Sequence, residues 1–183
     1  MSEDKNKRYS IWGRFDDLST SAIKQIQQNV NSKLMGPKFE PHLTLSGFFK
    51  LNPSLREDLR TFSFNNKERL IKTKSYGIKN EFFQSLYIEV EKSEPLNNLK
   101  NRLDVILDHD SGEFFPHISL FYGMEPASKK QKVIDVLSDF PKEITLNKLS
   151  IVYISEEIES WEVIDEFPLL EKALYSDNLG RPI

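Results

Sequence analysis

The 183-residue chain contains no cysteine. Disulfides, thiolate metal sites and a thiol nucleophile are therefore excluded. Histidine is nearly as scarce, at three residues, and zinc takes three or four protein ligands, so a metal centre finds few candidates. An excess of positive charge is missing too: 25 Lys and Arg face 28 Asp and Glu, a net charge of −3. Binding long nucleic acid through bulk electrostatics needs many cations on phosphates, and this balance argues against it. A small phosphorylated ligand needs only a local pocket. No segment approaches the ~20 apolar residues of a membrane span, and the opening MSEDKNKRYS has no apolar stretch of a signal peptide. A cytoplasmic monomer with no membrane partner is the default expectation.

Hydrophobic residues make up 38% of the chain and aromatics 11%, enough for a packed core in one domain spanning residues 1–183. Alternation and β-branched or aromatic content predict strands over 8–15, 41–49, 69–78, 85–91 and 116–123, with a closing hairpin over 143–155 and 160–169. Apolar residues at helical spacing predict helices within 19–37, 52–62, 93–109 and 127–140. Expected ends include a Ser or Thr cap and a Gly36-Pro37 stop for the first, Asn52-Pro53 opening the second, and Ser93 capping the third. Residues 171–183 read as a loose tail. Strand, helix, strand, helix, strand occurs twice, followed by one extra strand. The reading is an α+β domain with two similar lobes facing a common cleft.

Each half carries one version of the same phrase: FEPHLTLSGF (39–48) and FFPHISLFYG (114–123). Their separation exceeds solenoid periods and suits a two-lobed duplication. Residues two apart on a strand share a face, so His42 joins Thr44 and His117 joins Ser119, while Leu43, Leu45, Ile118 and Leu120 point into the core. A proline before each histidine suits a strand start at a cleft rim. If the strands face one another, two imidazoles and two hydroxyls converge. Near neutral pH, one imidazole can act as base and the other as acid, and the hydroxyls can donate to phosphate oxygens. A phosphodiester fits this quartet, with neither metal nor cofactor required. The third histidine, His109, sits in a polar acidic turn and reads as a solvated loop residue.

The paired PHLTL and PHISL motifs resemble those of the two-histidine phosphoesterase superfamily, and within it the cyclic phosphodiesterases of plant and yeast type. YSIWGRF, EFFQSLYIEV and LNKLSIVYIS…SWEVI resemble the strands around those motifs, so the likeness spans roughly residues 8 to 167. The resemblance implies a LigT-like bilobal fold, with two pseudo-symmetric lobes of antiparallel sheet and outer helices around a central cleft. It implies hydrolysis of a nucleoside 2′,3′-cyclic phosphate to the 2′-phosphate, or of ADP-ribose 1″,2″-cyclic phosphate. His42 and His117 become the acid–base pair and Thr44 and Ser119 the phosphate-binding hydroxyls. Tyr122 matches a tyrosine on the substrate side. Strand parity points it away from Ser119 unless a bulge at Gly123 re-aims it. Plant members carry cysteines; this chain does not, so thiol-based redox control is absent.

Trp12, Phe82 and Phe83 are candidates to stack on a base, and Gln84 is a loop amide within reach of a ligand. Lys72, Lys74, Lys79 and the SKKQK run read as solvated faces. Two alternatives stay open: an enzyme acting on short RNA ends, as a 2′-5′ RNA ligase-like phosphodiesterase or a 3′-end exonuclease, and a nucleotide-binding module without catalysis.

Overall fold

A computed structural model describes residues 7–170; the expected tail at 171–183 lies outside them. The elements are β1 (Arg8–Phe15), α1 (Asp17–Leu34), β2 (Leu43–Phe49), α2 (Leu55–Phe64), β3 (Arg69–Ile78), β4 (Leu86–Val90), α3 (Glu94–Leu107), β5 (His117–Phe121), α4 (Ala127–Ile134), β6 (Glu143–Ile154) and β7 (Glu162–Pro168). Their order is the one read from the sequence. Short 3₁₀ turns at Phe82–Gln84 and Ile158–Ser160 precede β4 and β7.

Helix ends differ in detail. Asp16, not a Ser or Thr, caps α1, its side chain accepting from Ser19 N at 2.8 Å. Met35, in the left-handed region at φ 54°, ends the helix one residue before Gly36. Asn52-Pro53 forms a turn and α2 starts only at Leu55. Ser93 caps α3 as expected, accepting from Leu96 N. The apolar faces are buried as the spacing required: Ile23, Ile26, Val30 and Leu34 on α1, and Leu96, Leu99 and Leu103 on α3.

All seven strands form one antiparallel sheet, in the order β1-β2-β5-β4-β3-β6-β7, and β1 also pairs with β6. β6 is shared between the two halves. Its first residues, Glu143 to Leu146, pair with β3, while Leu146 to Ile154 pair with β1. At the other seam, β2 and β5 meet at a single residue pair, Leu43 opposite Ile118. Backbone bonding there is minimal, so packing must hold the seam. Leu43, Leu45, Ile118 and Leu120 are all buried in one core cluster, α1 lies against β5, and α3 lies against β2. Each motif strand is thus backed by the other half's helix. No helix among the described residues is long and apolar enough to cross a membrane.

Candidate active site

The seam pair fixes what lies across from what. With Leu43 opposite Ile118 in antiparallel register, His42 lies beside Ser119 and Thr44 beside His117, all on the face opposite the core leucines. Charge on His117 is felt at His42, so the two rings share one electrostatic neighbourhood. The sequence expected this convergence, and the fold produces it.

Both rings are held the same way. His42 Nδ1 lies 2.7 Å from the Glu40 carbonyl oxygen, and His117 Nδ1 lies 2.8 Å from that of Phe115. A carbonyl only accepts, so Nδ1 carries the hydrogen and a neutral ring keeps its lone pair on Nε2. Pro41 and Pro116 stand between each carbonyl and its histidine, fixing the local φ that brings oxygen and ring together. Neither Nε2 has a hydrogen-bond partner among the described residues, and neither is sealed from solvent.

Their surroundings differ. Trp12, set opposite Thr44 by the β1–β2 register, stacks on His42 with centroids 3.6 Å apart and planes 6° apart, and Phe39 meets the ring edge-on. His42 is 5% exposed. Burial drives its pKa down to about 3; the Glu40 carbonyl opposes this, and the Arg14 and His117 charges reinforce it. His117 is half-buried, stacked on Phe115 at 5.1 Å and edged by Tyr87. Its pKa is also lowered, chiefly by burial, with the Phe115 carbonyl and Glu81 opposing and Lys79 assisting.

The hydroxyls differ as well. Thr44 Oγ1 has no hydrogen bond among the described residues and is half-buried. Ser119 is buried, donates to the Phe83 carbonyl at 3.2 Å, and is hydrogen-bonded to Tyr122. Parity turned Tyr122 away from Ser119, and that expectation fails for a physical reason. β5 ends at Phe121, so alternation no longer governs residue 122. Gly123, at φ 151°, redirects the chain, and any β-carbon there would meet the Phe121 ring at 2.6 Å. Burial then pushes the Tyr122 hydroxyl pKa well up, leaving it a protonated donor.

Aromatic rings wall the site. Tyr122 stacks on Phe39 at 4.0 Å, and Phe83 and Trp161 lie against it at 5.4 and 5.8 Å. Trp161 also meets Trp12 edge-on at 5.7 Å, and a cavity of about 260 Å³ opens between Trp12, Phe39 and Trp161. Trp161 was not among the sequence candidates. Its only signal was rarity, as one of two tryptophans in the chain. Phe82 and Phe83 are both partly exposed, but only Phe83 reaches Tyr122. Gln84 accepts a hydrogen bond from Lys79, whose Nζ lies 4.0 Å from the Phe115 ring centre. Lys79 is therefore a site residue, not a solvated one. Lys130 departs from the same expectation: it is 1% exposed and donates to Lys79 O and Ser85 Oγ. Gln27, another residue the sequence reading missed, donates from α1 to the Ser119 carbonyl at 3.1 Å. Among the described residues, no group of three or more acidic or histidine side chains could hold a metal.

Comparison with known proteins agrees with this fold. The family model of the cyclic phosphodiesterase-like proteins matches residues 14–170. The cyclic phosphodiesterase of Arabidopsis thaliana is 23% identical over 185 residues, covering 90% of this chain and 96% of the plant protein. A Staphylococcus saprophyticus protein named as a phosphoesterase is 27% identical over 143 residues, covering 70% of this chain and 80% of its own. The crystal structure of E. coli LigT in apo form superposes with a TM-score of 0.60 at 14% identity, covering 90% of this chain and 98% of LigT. With its paired histidine strands on a LigT-like two-histidine phosphoesterase fold, the chain belongs to the cyclic phosphodiesterase-like family.

Proposed function

We propose that the protein hydrolyses a cyclic phosphate carried on a ribose, a nucleoside 2′,3′-cyclic phosphate being the first candidate substrate. The observation that carries this reading is the matched pair of imidazoles at the β2–β5 seam, each with Nδ1 tied to a carbonyl and Nε2 unpartnered among the described residues. The relatives' names support the class, and structures titled as LigT complexes with 3′-AMP and with phosphate accord with a small phosphate ligand.

In the proposed reaction the phosphorus lies between the two Nε2 atoms. His42, kept neutral by its burial against Trp12, takes a proton from water. The oxygen so activated forms a new P–O bond in line with the departing ribose O3′. That P–O3′ bond breaks as His117, which must first take up a proton from solvent against its lowered pKa, delivers that proton to O3′, and the product is the 2′-phosphomonoester. His42 ends protonated and His117 neutral, and exchange with solvent restores both. Thr44 and Ser119 donate to the non-bridging oxygens, the latter after leaving the Phe83 carbonyl. Preorganised donors of this kind contribute about 10²–10³ in rate each. Tyr122 supports the Ser119 hydroxyl. Trp12, Phe83 and Trp161 offer apolar faces to the nucleoside. Both proton transfers are assigned to side chains, so turnover is expected to survive EDTA.

Phosphorus NMR of products from 2′,3′-cyclic nucleotides, ADP-ribose 1″,2″-cyclic phosphate and oligoribonucleotides with cyclic ends tests this directly. Conversion of a cyclic mononucleotide to the 2′-phosphate after EDTA treatment is the expected result. Turnover confined to oligomers would move the substrate class to RNA ends. Nucleotide binding with no product would make the protein a binding module.

A further inference from the structure

A second cavity, about 570 Å³, lies against the outer side of α3, where Arg69, Glu94, Asn98, Asn101 and Arg102 line it. None of these residues belongs to the histidine cluster. The helix packs on β2 from the core side, so the cavity lies behind the sheet, away from both imidazoles.

Two guanidinium groups there share a single neutral acceptor. Asn66 Oδ1 accepts from Arg102 Nη1 at 2.9 Å and from Arg69 Nη2 at 3.5 Å. Asn66 is itself buried, and its Nδ2 donates to the Phe62 carbonyl, which keeps Oδ1 turned toward the pair. Arg102 lies over the Phe62 ring, 4.8 Å from its centre, which fixes the guanidinium plane. Arg69 Nε is buried and has no hydrogen-bond partner among the described residues. Neither arginine forms an ion pair with a carboxylate among the described residues, although Glu94 stands on the cavity wall. Burial and the Arg102 charge both lower the Arg69 pKa, as expected of two neighbouring like charges.

A structural role would place a carboxylate between two such cations. An amide oxygen can absorb one N–H from each and leaves the forks open. Planar guanidinium forks match the oxygens of a tetrahedral oxyanion. The Asn98 and Asn101 amides can add donors from α3.

We propose that this cavity is an oxyanion site, separate from the phosphodiesterase centre, which binds the phosphate group of a small molecule between Arg69 and Arg102. The site is held ready by Asn66 and Phe62, so binding requires little rearrangement.

The test follows the arginine Nε–H signals in the ¹H–¹⁵N spectrum of the full chain during titration with inorganic phosphate, and separately with adenosine 5′-monophosphate. The Arg69 Nε–H signal is expected to move saturably with a dissociation constant of about 1 mM or tighter. Arg102→Gln, an exposed change that should not disturb folding, is expected to weaken binding about tenfold or more. Phosphate should also raise Tm in the wild type more than in Arg102→Gln. His117→Ala should leave the Arg69 response unchanged, which separates this site from the catalytic one. Tighter binding of the nucleotide would assign a nucleoside monophosphate as occupant, and equal affinity would assign the phosphate group alone. An Arg69 signal that does not move, or one that moves equally in Arg102→Gln, would mean an adventitious ion only and would overturn the proposal.

Discussion

The two Pro-His strands share a backbone arrangement and differ in almost everything around it. His42 is pressed flat against Trp12 and held neutral down to about pH 3. His117 stands half open beside Phe115, with Lys79 and Glu81 close enough to pull its pKa in opposite directions. Among the described residues Thr44 is without a side-chain hydrogen bond, while Ser119 is bonded to Phe83 and Tyr122. Even the bracing from behind is different. Gln27 holds the Ser119 backbone, whereas on β2 Ser46 donates to Asp104, which is also paired with the buried Lys100. A repeated backbone arrangement has unequal surroundings, and in the mechanism proposed above that inequality is what would let two identical side chains take opposite proton-transfer roles.

Removing either side of that inequality should reveal it, and the largest effect belongs to the histidines themselves. His42→Ala and His117→Ala are each expected to lower kcat by about 10²–10⁴, with folding monitored by circular dichroism. On a substrate whose departing oxygen is replaced by sulfur, no acid is needed, so His117→Ala should recover and His42→Ala should not. Recovery of His42→Ala instead would reverse the assigned roles. Next come the hydroxyls. Thr44→Ala and Ser119→Ala should each cost about 10²–10³ in kcat, and Ser119→Ala should also release Tyr122.

A smaller but more specific effect is expected from Trp12→Leu. Uncovering one face of His42 should raise its pKa from about 3 toward the ordinary 6.5. The acid limb of kcat/KM then moves to higher pH, which a pH–rate profile measures. The same depressed pKa makes a claim about stability. The unfolded chain binds a proton at His42 as pH falls below about 6.5, whereas the folded chain does not until about 3. Wild-type stability should therefore drop across that window relative to its value above 6.5, and His42→Gln should remove part of the slope in urea unfolding. The smallest effects belong to the second strand's charges. Lys79→Gln should raise the His117 pKa and Glu81→Gln should lower it, which imidazole chemical shifts followed against pH would show.

Much of this was legible in the chain. A repeated Pro-His-x-Thr/Ser phrase carries its own geometry, because period-two alternation places the four polar groups on one face wherever both strands exist. The order of elements followed from helical and strand spacing, which burial of α1 and α3 obeys. What stayed hidden depends on contacts that spacing cannot express. Tyr122 lies one residue beyond the reach of alternation, because β5 stops at Phe121. Trp161 reaches the site only through the turn between β6 and β7, and nothing local announces it. Lys79 and Lys130 sit in charged runs that look solvated, yet one enters the site and the other is sealed beneath it. The inequivalence of the histidines arises from the β1–β2 register that lays Trp12 on one ring, a long-range fact invisible in two matching phrases.

Nitrogen-15 NMR titration of the two imidazoles in the free protein tests the account most directly. Both rings are expected as Nδ1–H tautomers, with His117 protonating first as pH falls and His42 remaining neutral to about pH 3. A hydrogen on Nε2 of either neutral ring, or protonation of His42 ahead of His117, would contradict it.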